Sequence, residues 1–294
     1  MNILIAGSSG IIGSGLTSNL FTYGNVYGLN RVSRPNDVDV VLDLTNPEDL
    51  KNFPYKDVYF DALIFLVGLA HSKGSKSTEI LHNETNFLSL SNLLNFMSSN
   101  SKLPKKIIFA STISVYGENI NKTEYLESDE LNPTSPYAVS KLKAEEYLNK
   151  NFADRCWILR FAPVYGKNFC LNIDRRTKIN EYFYKVGDGQ KKLSLCNIKN
   201  IYDAIKSILN GSIPPDTYNI SDTLIYCYND LLKVNNATRI IKIPMFMINL
   251  IYLLGRLFKI NYLVENSTKL CTDNIYPSIK ISNYIKFKFK LEEY

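Results

Sequence analysis

A tyrosine and a lysine stand four residues apart in the middle of the chain. Tyr137 and Lys141 lie in a stretch with helical periodicity, so the phenol and the ammonium share one helix face, one turn apart. A nearby cation favours the phenolate, and this spacing therefore predicts that the pKa of Tyr137 is lowered toward neutrality. Such a tyrosine can donate or accept a proton at a sugar or alcohol oxygen. Ser111 and Thr112 end an apolar run upstream, where a hydroxyl can hydrogen-bond the same oxygen.

A second chemical signal follows the first apolar run of the chain. Three glycines stand there in the pattern G-x-x-G-x-x-G, at Gly7, Gly10 and Gly13. The first permits a tight turn, the second lets the backbone approach a pyrophosphate, and the third lets the following helix pack on the strand. The N-terminus of that helix offers free N–H groups to the anion. The pattern predicts a dinucleotide cradle formed by Gly7, Ser9, Gly10, Ile11, Ile12 and Gly13.

The end of the second strand distinguishes the two nicotinamide dinucleotides. Proteins that bind NAD place a carboxylate there to hold the ribose 2′-OH. Here residues 28–34 read GLNRVSR, which contains Arg31 and Arg34 but no carboxylate. We expect NADP or NAD as the cofactor. Guanidinium groups match a 2′-phosphate, which NADP has and NAD lacks, so we favour NADP. We expect Asn30 and both arginines to contact the cofactor. Asp43 is expected to accept a hydrogen bond from the adenine amino group of the cofactor.

Strands and helices alternate along the first half of the chain, which is typical of an α/β fold with a Rossmann-type, doubly wound parallel sheet. Strands are predicted at residues 2–6, Val26–Asn30, Val38–Leu42, Ala62–Val67, Ile107–Ser111 and Trp157–Arg160. Helices are predicted at Ile11–Tyr23, Glu79–Ser98 and Tyr137–Asn151. From about residue 163 the pattern becomes irregular. We therefore expect a dinucleotide-binding domain over residues 1–162, to which some later segments return, and a smaller α/β substrate domain mainly over residues 163–294.

Composition and charge exclude several other classes of protein. The 294 residues are 45% hydrophobic and 21% charged, which indicates a globular rather than a disordered chain. The 5 cysteines form no C-x-x-C pair and suit a reducing, cytoplasmic compartment. The net charge of +6 is spread out, so it favours nucleotides over nucleic acid as partners. His71 and His82 are the 2 histidines, and no cluster of cysteines and carboxylates surrounds them, so we expect no metal.

The most apolar later stretch runs from Ile243 to Phe258. It is shorter than the roughly 20 residues of a membrane-spanning helix, so we expect no stable membrane insertion. Its spacing favours a helix packed on the core, with contact to a membrane surface as the alternative. The helical spacing is carried by Met247, Leu250, Ile251 and Leu254.

Five segments, in this order and spacing, point to one family. They are GSSGIIG at 7–13, LDL at 42–44, STISVYG at 111–117, SPYAVSK at 135–141 and RFAPVYG at 160–166. The chain thereby resembles the extended short-chain dehydrogenases/reductases, in their nucleotide-sugar epimerase, dehydratase and reductase group. The resemblance spans most of the chain and is looser after residue 170.

This resemblance implies roles for the matching residues. Tyr137 is expected to be the catalytic acid/base, Lys141 to hold the cofactor ribose and tune the tyrosine, and Thr112 to be the catalytic hydroxyl. Further cofactor contacts are expected at Leu44, Val67, Gly68, Asn86, Ser111, Tyr137, Lys141 and Pro163. Substrate contacts are expected at Leu69, His71, Thr112, Ile113, Ser114, Tyr137, Val164, Arg175 and Arg176. The resemblance also suggests a homodimer through a four-helix bundle built from the helices at 79–98 and 137–151.

Two departures from the family pattern bear on the reaction. Ile113 stands where dehydratases have an acidic pair, so we do not expect 4,6-dehydration. Pro163 stands where many epimerases and dehydratases have an asparagine that binds the sugar diphosphate. We expect an NAD(P)-dependent enzyme, with first preference for a 4-ketoreductase of a UDP- or dTDP-linked (deoxy)hexose or N-acetylhexosamine in surface polysaccharide synthesis. The alternatives are a UDP-hexose or UDP-N-acetylhexosamine 4-epimerase with tightly bound NAD, and a non-catalytic NAD(P)-binding regulatory or scaffold protein.

Overall fold

Strands and helices alternate over the first 161 residues. The structure, a computed structural model, describes residues 1–32, 40–69 and 79–291. The first strands are β1 (Asn2–Ala6), β2 (Asn25–Asn30), β3 (Val40–Val41), β4 (Ala62–Phe65), β5 (Lys106–Thr112) and β6 (Cys156–Phe161). The first helices are α1 (Ile11–Leu20), α2 (Glu79–Asn83), α3 (Ser89–Ser99) and α4 (Pro136–Phe152). A π-helical turn, Glu84–Leu88, joins α2 to α3, so the long helix predicted here forms with one irregular turn.

The elements of the second half are shorter. The strands are β7 (Val164–Tyr165), β8 (Lys178–Ile179), β9 (Tyr182–Val186), β10 (Lys192–Leu193), β11 (Cys196–Asn197), β12 (Thr217–Ile220), β13 (Tyr226–Cys227) and β14 (Ile240–Ile243). The helices are α5 (Leu171–Thr177), α6 (Ile198–Leu209), α7 (Tyr228–Val234), α8 (Met245–Leu257), α9 (Asn261–Cys271) and α10 (Ile279–Ser282).

Seven strands form a central parallel sheet in the order β12-β6-β5-β4-β1-β2-β3. Strand β1 pairs in parallel with β2 on one side and with β4 on the other, so the strand order reverses between β1 and β4. Strands β1 and β4 are apolar and almost wholly buried, as expected of parallel strands covered by helices on both faces. The predicted doubly wound fold is thus confirmed. In such sheets ligands bind beyond the carboxyl ends of the strands, at the point of reversal.

The chain forms two compact units. Unit 1 comprises Met1–Thr112, Pro136–Arg160 and Ala204–Thr217, and unit 2 comprises Ile113–Ser135, Phe161–Asp203 and Tyr218–Tyr294. In unit 1, apolar side chains of α3 and α4, such as Leu93 and Leu148, pack on the strands through residues such as Leu63 and Phe109. This packing fixes the helix that carries Tyr137 and Lys141 on the sheet.

Asp222 ties together the interior of unit 2. Its Oδ2 accepts hydrogen bonds from the hydroxyls of Tyr165 at 2.6 Å and Tyr226 at 3.0 Å. Its Oδ1 accepts from the backbone N–H of Asn197 at 2.7 Å and from Nδ2 of Asn200 at 2.8 Å. Both carboxylate oxygens are therefore satisfied, which makes this buried carboxyl a structural anchor.

The helix predicted between Ile243 and Phe258 forms as α8 and packs on unit 2 along one narrow side. Of its 13 residues, Ile248 and Gly255 are the buried ones, and Ile248 joins a buried apolar cluster with Tyr184 and Val186. The stripe predicted to pack on the core is exposed instead, because helical spacing defines an apolar face without showing what covers it; it consists of Met247, Leu250, Ile251 and Leu254. Within the described ranges, no helix is long and apolar enough to cross a membrane.

Candidate active site

A glycine turn joins β1 to α1 at the carboxyl end of the sheet. Gly7 has a φ of 88°, a left-handed conformation that favours glycine. A Cβ on Gly13 would lie 2.2 Å from the carbonyl oxygen of Gly7, so α1 can approach the turn only without a side chain there. Helix α1 begins after Gly10, its N-cap, which has no side chain that could hydrogen-bond the first N–H groups. This start of the helix suits an anion, and the predicted contact with the cofactor stays a prediction.

An open groove with a volume of about 360 Å³ follows the carboxyl ends of strands in unit 1. Nine of the residues assigned to the cofactor line it, and so does Leu69, which was assigned to the substrate. The nine are Gly7, Ser9, Gly10, Asn30, Arg31, Asp43, Leu44, Val67 and Gly68. Sequence reasoning missed Leu29, Val32, Leu42, Thr45, Leu66, Thr85 and Ser89, which also line the groove. Arg34 and His71 lie outside the described residues.

Two polar side chains hold the walls of this groove. Asn30 Oδ1 accepts a hydrogen bond of 2.8 Å from the backbone N–H of Ser9, which ties the glycine turn to the end of β2. Asp43 Oδ1 accepts from the backbone N–H and the hydroxyl of Thr45, at 2.9 and 2.7 Å. Arg31 is exposed and lines the groove, so its positive charge can attract an anionic ligand.

Thr112 and Tyr137 meet where β5 ends and α4 begins. A hydrogen bond joins their side chains. Burial raises the pKa of Tyr137 to about 12, and the bond with Thr112 opposes that rise. The expected lowering of this pKa by Lys141 is therefore not what the structure shows. The phenol is protonated at neutral pH, because its loss of contact with water outweighs the groups that favour its anion.

The ammonium of Lys141 is directed at backbone carbonyls, which explains its weak effect on the phenol. Its Nζ donates to the oxygens of Ala110 at 2.8 Å and Val67 at 3.2 Å. Burial lowers the pKa of Lys141 to about 7, and the carboxylate of Glu145 opposes this shift. A Cβ on Gly68 would lie 3.2 Å from Nζ. The ammonium thus lies directly behind the groove wall that Gly68 forms.

A buried ion pair lies one helical turn beyond Lys141. The carboxylate of Glu145 accepts from Nη2 of Arg160 at 2.7 Å and from Nε of Arg160 at 3.1 Å. The hydroxyl of Ser111 donates to the same carboxylate, so this hydroxyl is engaged within the pair; its predicted cofactor contact stays a prediction. Sequence reasoning missed both partners. The available signal was the four-residue spacing of Lys141 and Glu145, which places them on one helix face.

Asn86 connects the segment after β4 to helix α4. Its Oδ1 accepts a hydrogen bond of 2.7 Å from the backbone N–H of Leu69, and its Nδ2 donates to Ser140 Oγ at 2.9 Å. Asn86 lies in the π-helical turn, a rare feature found frequently at functional sites. His82, one turn earlier, is buried, and its ring centre lies 6.3 Å from that of Tyr137. The helix thus brings two further polar side chains to the tyrosine and lysine.

Ile11 and Ile12 begin helix α1 in unit 1. The six other predicted residues lie in unit 2. Ile113 and Ser114 begin a 3-10 turn, Ile113–Tyr116. The carbonyl of Pro163 accepts a hydrogen bond of 3.1 Å from the backbone N–H of Cys196, and so fixes the start of β7. The carbonyl of Val164 accepts from Asn172 Nδ2 at 2.8 Å.

Both arginines assigned to the substrate are on α5. Arg175 is exposed. Arg176 donates from Nη1 to the carbonyl of Asn172 at 2.8 Å, within electrostatic reach of Tyr184 and Tyr228. Their predicted roles stay predictions, as do those of the other site residues.

In the part of the chain that the structure covers, no three side chains of His, Cys, Asp or Glu are close enough to hold a metal ion. All 5 cysteines are free thiols.

Comparison with known proteins places this site in a family. The family model described as "NAD dependent epimerase/dehydratase family" matches residues 3–221. The chain belongs to the NAD dependent epimerase/dehydratase family. It is therefore an NAD(P)-dependent enzyme, as the sequence predicts.

Named relatives support this membership. A putative UDP-glucose 4-epimerase of Methanocaldococcus jannaschii is 30% identical over 236 residues, which cover 71% of this chain and 73% of the relative. An uncharacterized UDP-glucose epimerase of Bacillus subtilis is 29% identical over 238 residues, covering 71% of this chain and 72% of the relative. The solved UDP-Glc/GlcNAc 4-epimerase of Campylobacter jejuni has the same fold, with a TM-score of 0.76 at 18% identity over 99% of this chain and 95% of the other.

Proposed function

We propose that this enzyme transfers a hydride between NAD(P) and C4 of a hexose carried by a nucleoside diphosphate. The observation that carries the proposal is the junction of β5 and α4. There Tyr137 is hydrogen-bonded to Thr112, and Lys141 on the same helix lies behind the groove wall at Gly68. The phenol thus lies on the same helix as a lysine whose ammonium lies against the wall of a groove suited to a dinucleotide. This arrangement supports redox chemistry at an alcohol or carbonyl carbon.

The residues of unit 1 fit the cofactor. The turn that Gly7 and Gly13 permit, together with the uncapped start of α1, suits a pyrophosphate. We infer that Arg31, at the edge of the groove, favours the 2′-phosphate of NADP, since residues 28–34 contain no carboxylate to hold a 2′-hydroxyl. When bound, the nicotinamide supplies or accepts the hydride at the substrate carbon.

The protein moves the proton. With a pKa of about 12, Tyr137 is protonated at neutral pH and can donate to the oxygen of a carbonyl as that carbonyl is reduced. This donation leaves Tyr137 as a phenolate, which the hydrogen bond with Thr112 stabilises. In the opposite direction that phenolate accepts the proton of the C4 hydroxyl and becomes the phenol again. Asn86 holds the loop at Leu69 and, through Ser140, the turn of α4 that bears Lys141.

Two specific reactions use this chemistry. We propose 4-epimerisation of a UDP-hexose or UDP-N-acetylhexosamine first, because the M. jannaschii and B. subtilis relatives are named as UDP-glucose epimerases. A 4-ketoreductase is the second candidate, favoured by Arg31 at the groove and by Pro163 in place of the family's asparagine. We propose no 4,6-dehydration, since Ile113 and Ser114 follow Thr112 where dehydratases have the acidic pair that drives water elimination.

We also propose that the substrate is held by unit 2, with Arg175 and Arg176 as candidates for its diphosphate. The enzyme is proposed to be a cytoplasmic homodimer through a bundle of α2–α3 and α4 helices. The free cysteine thiols support a reducing compartment.

The test separates the two reactions. Purified enzyme is mixed with UDP-glucose or UDP-GlcNAc without added cofactor, and the C4 epimer is measured by chromatography. In parallel it is mixed with NADPH and a UDP-4-keto-6-deoxy-N-acetylhexosamine, and loss of the reduced-nicotinamide absorbance is followed. Epimer formation supports the first reaction, and NADPH oxidation the second. The proposal fails if neither rate exceeds that of Tyr137→Phe, with the exposed Tyr182→Phe as the matched control.

A further inference from the structure

Helix α8 and the residue that follows it carry a continuous set of exposed apolar side chains. We call this set the apolar face, and it consists of Phe246, Leu250, Leu253, Leu254, Leu257 and Phe258. Four of these side chains are more than 60% exposed, with Leu257 at 72% and Phe246 at 68%. Single exposed apolar residues are ordinary on a protein surface, but a contiguous patch of this kind marks an interaction site.

The geometry of the helix gathers these residues on one side. At about 100° per residue, the six positions of the apolar face fall within an arc of about 140°. The two buried positions of α8, Ile248 and Gly255, are seven residues apart and lie on the other side. One side of α8 therefore packs on unit 2, and the opposite side, which is the more apolar one, faces solvent.

The buried side of α8 is firmly attached to unit 2. Ile248 packs with Tyr184 and Val186 of β9. A Cβ on Gly255 would lie 3.0 Å from Cβ of Leu263, so the lack of a side chain there lets α8 and α9 approach closely. The apolar face is thus presented on a fixed helical hairpin and has a defined shape.

The segment of chain that contains the apolar face carries charges of one sign. Residues 231–264 contain no aspartate or glutamate, although the 28 acidic residues of the chain would place about three in a stretch of this length. Five basic residues occur there, and all five are exposed: Lys233, Arg239, Lys242, Arg256 and Lys259. Lys259 directly follows the apolar face in sequence. An apolar face with Arg256 within its helix and Lys259 directly after it suits a surface that is apolar inside and anionic outside.

We propose that the apolar face docks on the surface of an anionic lipid bilayer, with α8 lying along the interface. The apolar side chains enter the boundary of the acyl chains, while the basic residues meet the lipid phosphates. Stacking this face on a second copy would bring the like charges of Arg256 and Lys259 together, which disfavours self-association. At 13 residues α8 is too short to span a bilayer, so the attachment is peripheral. This inference does not depend on the proposed reaction.

The test is co-sedimentation of the full chain with vesicles of phosphatidylcholine, alone or mixed with phosphatidylglycerol. We expect binding to the anionic vesicles that weakens as salt is added. The variant Leu253→Ser/Leu257→Ser should lower the partition coefficient at least about tenfold. The variant Arg256→Gln/Lys259→Gln should lower it about fivefold for each residue. The matched control Phe21→Ser/Tyr59→Ser, which removes exposed aromatic rings of unit 1, should bind like the unaltered protein.

A spectroscopic measurement distinguishes docking of the apolar face from non-specific adsorption of the protein to vesicles. Leu253→Trp places a reporter on the apolar face, whereas the chain's own Trp157 is buried. Its emission should shift to the blue on anionic vesicles and be quenched by brominated acyl chains. The proposal fails if Leu253→Ser/Leu257→Ser binds vesicles as well as the control variant does, or if the unaltered chain does not bind them. It also fails if the unaltered chain is a dimer that Leu253→Ser/Leu257→Ser dissociates, because the apolar face would then bind a second copy of the chain.

Discussion

Replacing Glu145 with glutamine removes one buried negative charge and keeps the shape of the side chain. In the native protein this carboxylate pairs with Arg160, accepts a bond from Ser111 and supports the charge of Lys141. The side chains of Arg160 and Glu145 are only 5% and 2% exposed. The substitution therefore leaves a guanidinium buried without its counter-charge. Breaking such a pair from one side costs about 3–5 kcal/mol of the free energy of unfolding.

The same change acts on catalysis through Lys141. Glu145 opposes the fall in the pKa of Lys141, which stands at about 7, so its removal lowers that pKa further. If the reaction needs the charged ammonium of Lys141, kcat falls as the pH rises through the pKa of this lysine. In Glu145→Gln the fall in kcat should therefore occur at a lower pH than in the native protein. A purely structural role of Glu145 would lower the stability without moving the pH profile.

Urea unfolding at pH 7 and the pH dependence of kcat measure the two effects separately. The exposed neighbour Glu146→Gln is the matched control and should change neither. The double variant Glu145→Leu/Arg160→Met replaces the pair with apolar side chains, and it should regain much of the lost stability but not the native pH profile. The reasoning is refuted if Glu145→Gln unfolds within about 1 kcal/mol of the native protein and keeps its pH profile.

Three further substitutions probe the groove and the lysine. Gly13→Ala places a Cβ 2.2 Å from the Gly7 carbonyl, so it should lower the free energy of unfolding by about 1–3 kcal/mol and abolish NAD(P) binding in calorimetric titration; unchanged binding would contradict the cradle. Arg31→Ala should weaken NADPH binding about tenfold while leaving NADH unchanged in fluorescence titration, and an equal loss for both would remove the argument for a 2′-phosphate site. Burial holds the pKa of Lys141 at about 7 in the folded chain, against 10.5 when the lysine is exposed. Between these two pH values the unfolded chain binds more protons at this lysine than the folded chain does, so this group makes the free energy of unfolding rise with pH. Lys141→Met should remove that rise between pH 7 and about 8 in urea unfolding, and an identical slope in both proteins would show that the lysine is not buried in this way.

The sequence predicts those parts of the site that depend on local pattern. Gly7 and Gly13 reveal the turn because no other residue fits their conformation or their spacing, and β1 shows itself as a short apolar run. The protonation state of Tyr137 was predicted wrongly, because burial and the direction of the Lys141 ammonium follow from tertiary packing. The engagement of Ser111 with Glu145 is equally invisible in the local sequence, since 34 residues separate them.

Unit 2 was harder to predict for a physical reason. Most of its strands have two to five residues and pair across long stretches of chain, as when Ile240 of β14 aligns with Phe183 of β9. Runs this short carry little periodic signal. The exposure of the apolar face on α8 was also missed, because it depends on what packs against the helix.

The central claim is that Tyr137 is the acid/base of hydride transfer, and its most direct test compares the native enzyme with Tyr137→Phe. Both proteins are given a single turnover of the nucleotide sugar that the assays above identify as the substrate, and hydride transfer is followed by the nicotinamide absorbance. Cofactor affinity is measured on both proteins, so that loss of binding is distinguished from loss of proton transfer. We expect hydride transfer to be about 10²–10⁴-fold slower in the variant, with cofactor affinity unchanged. A variant that transfers hydride at the native rate would contradict the assignment of Tyr137 as the acid/base.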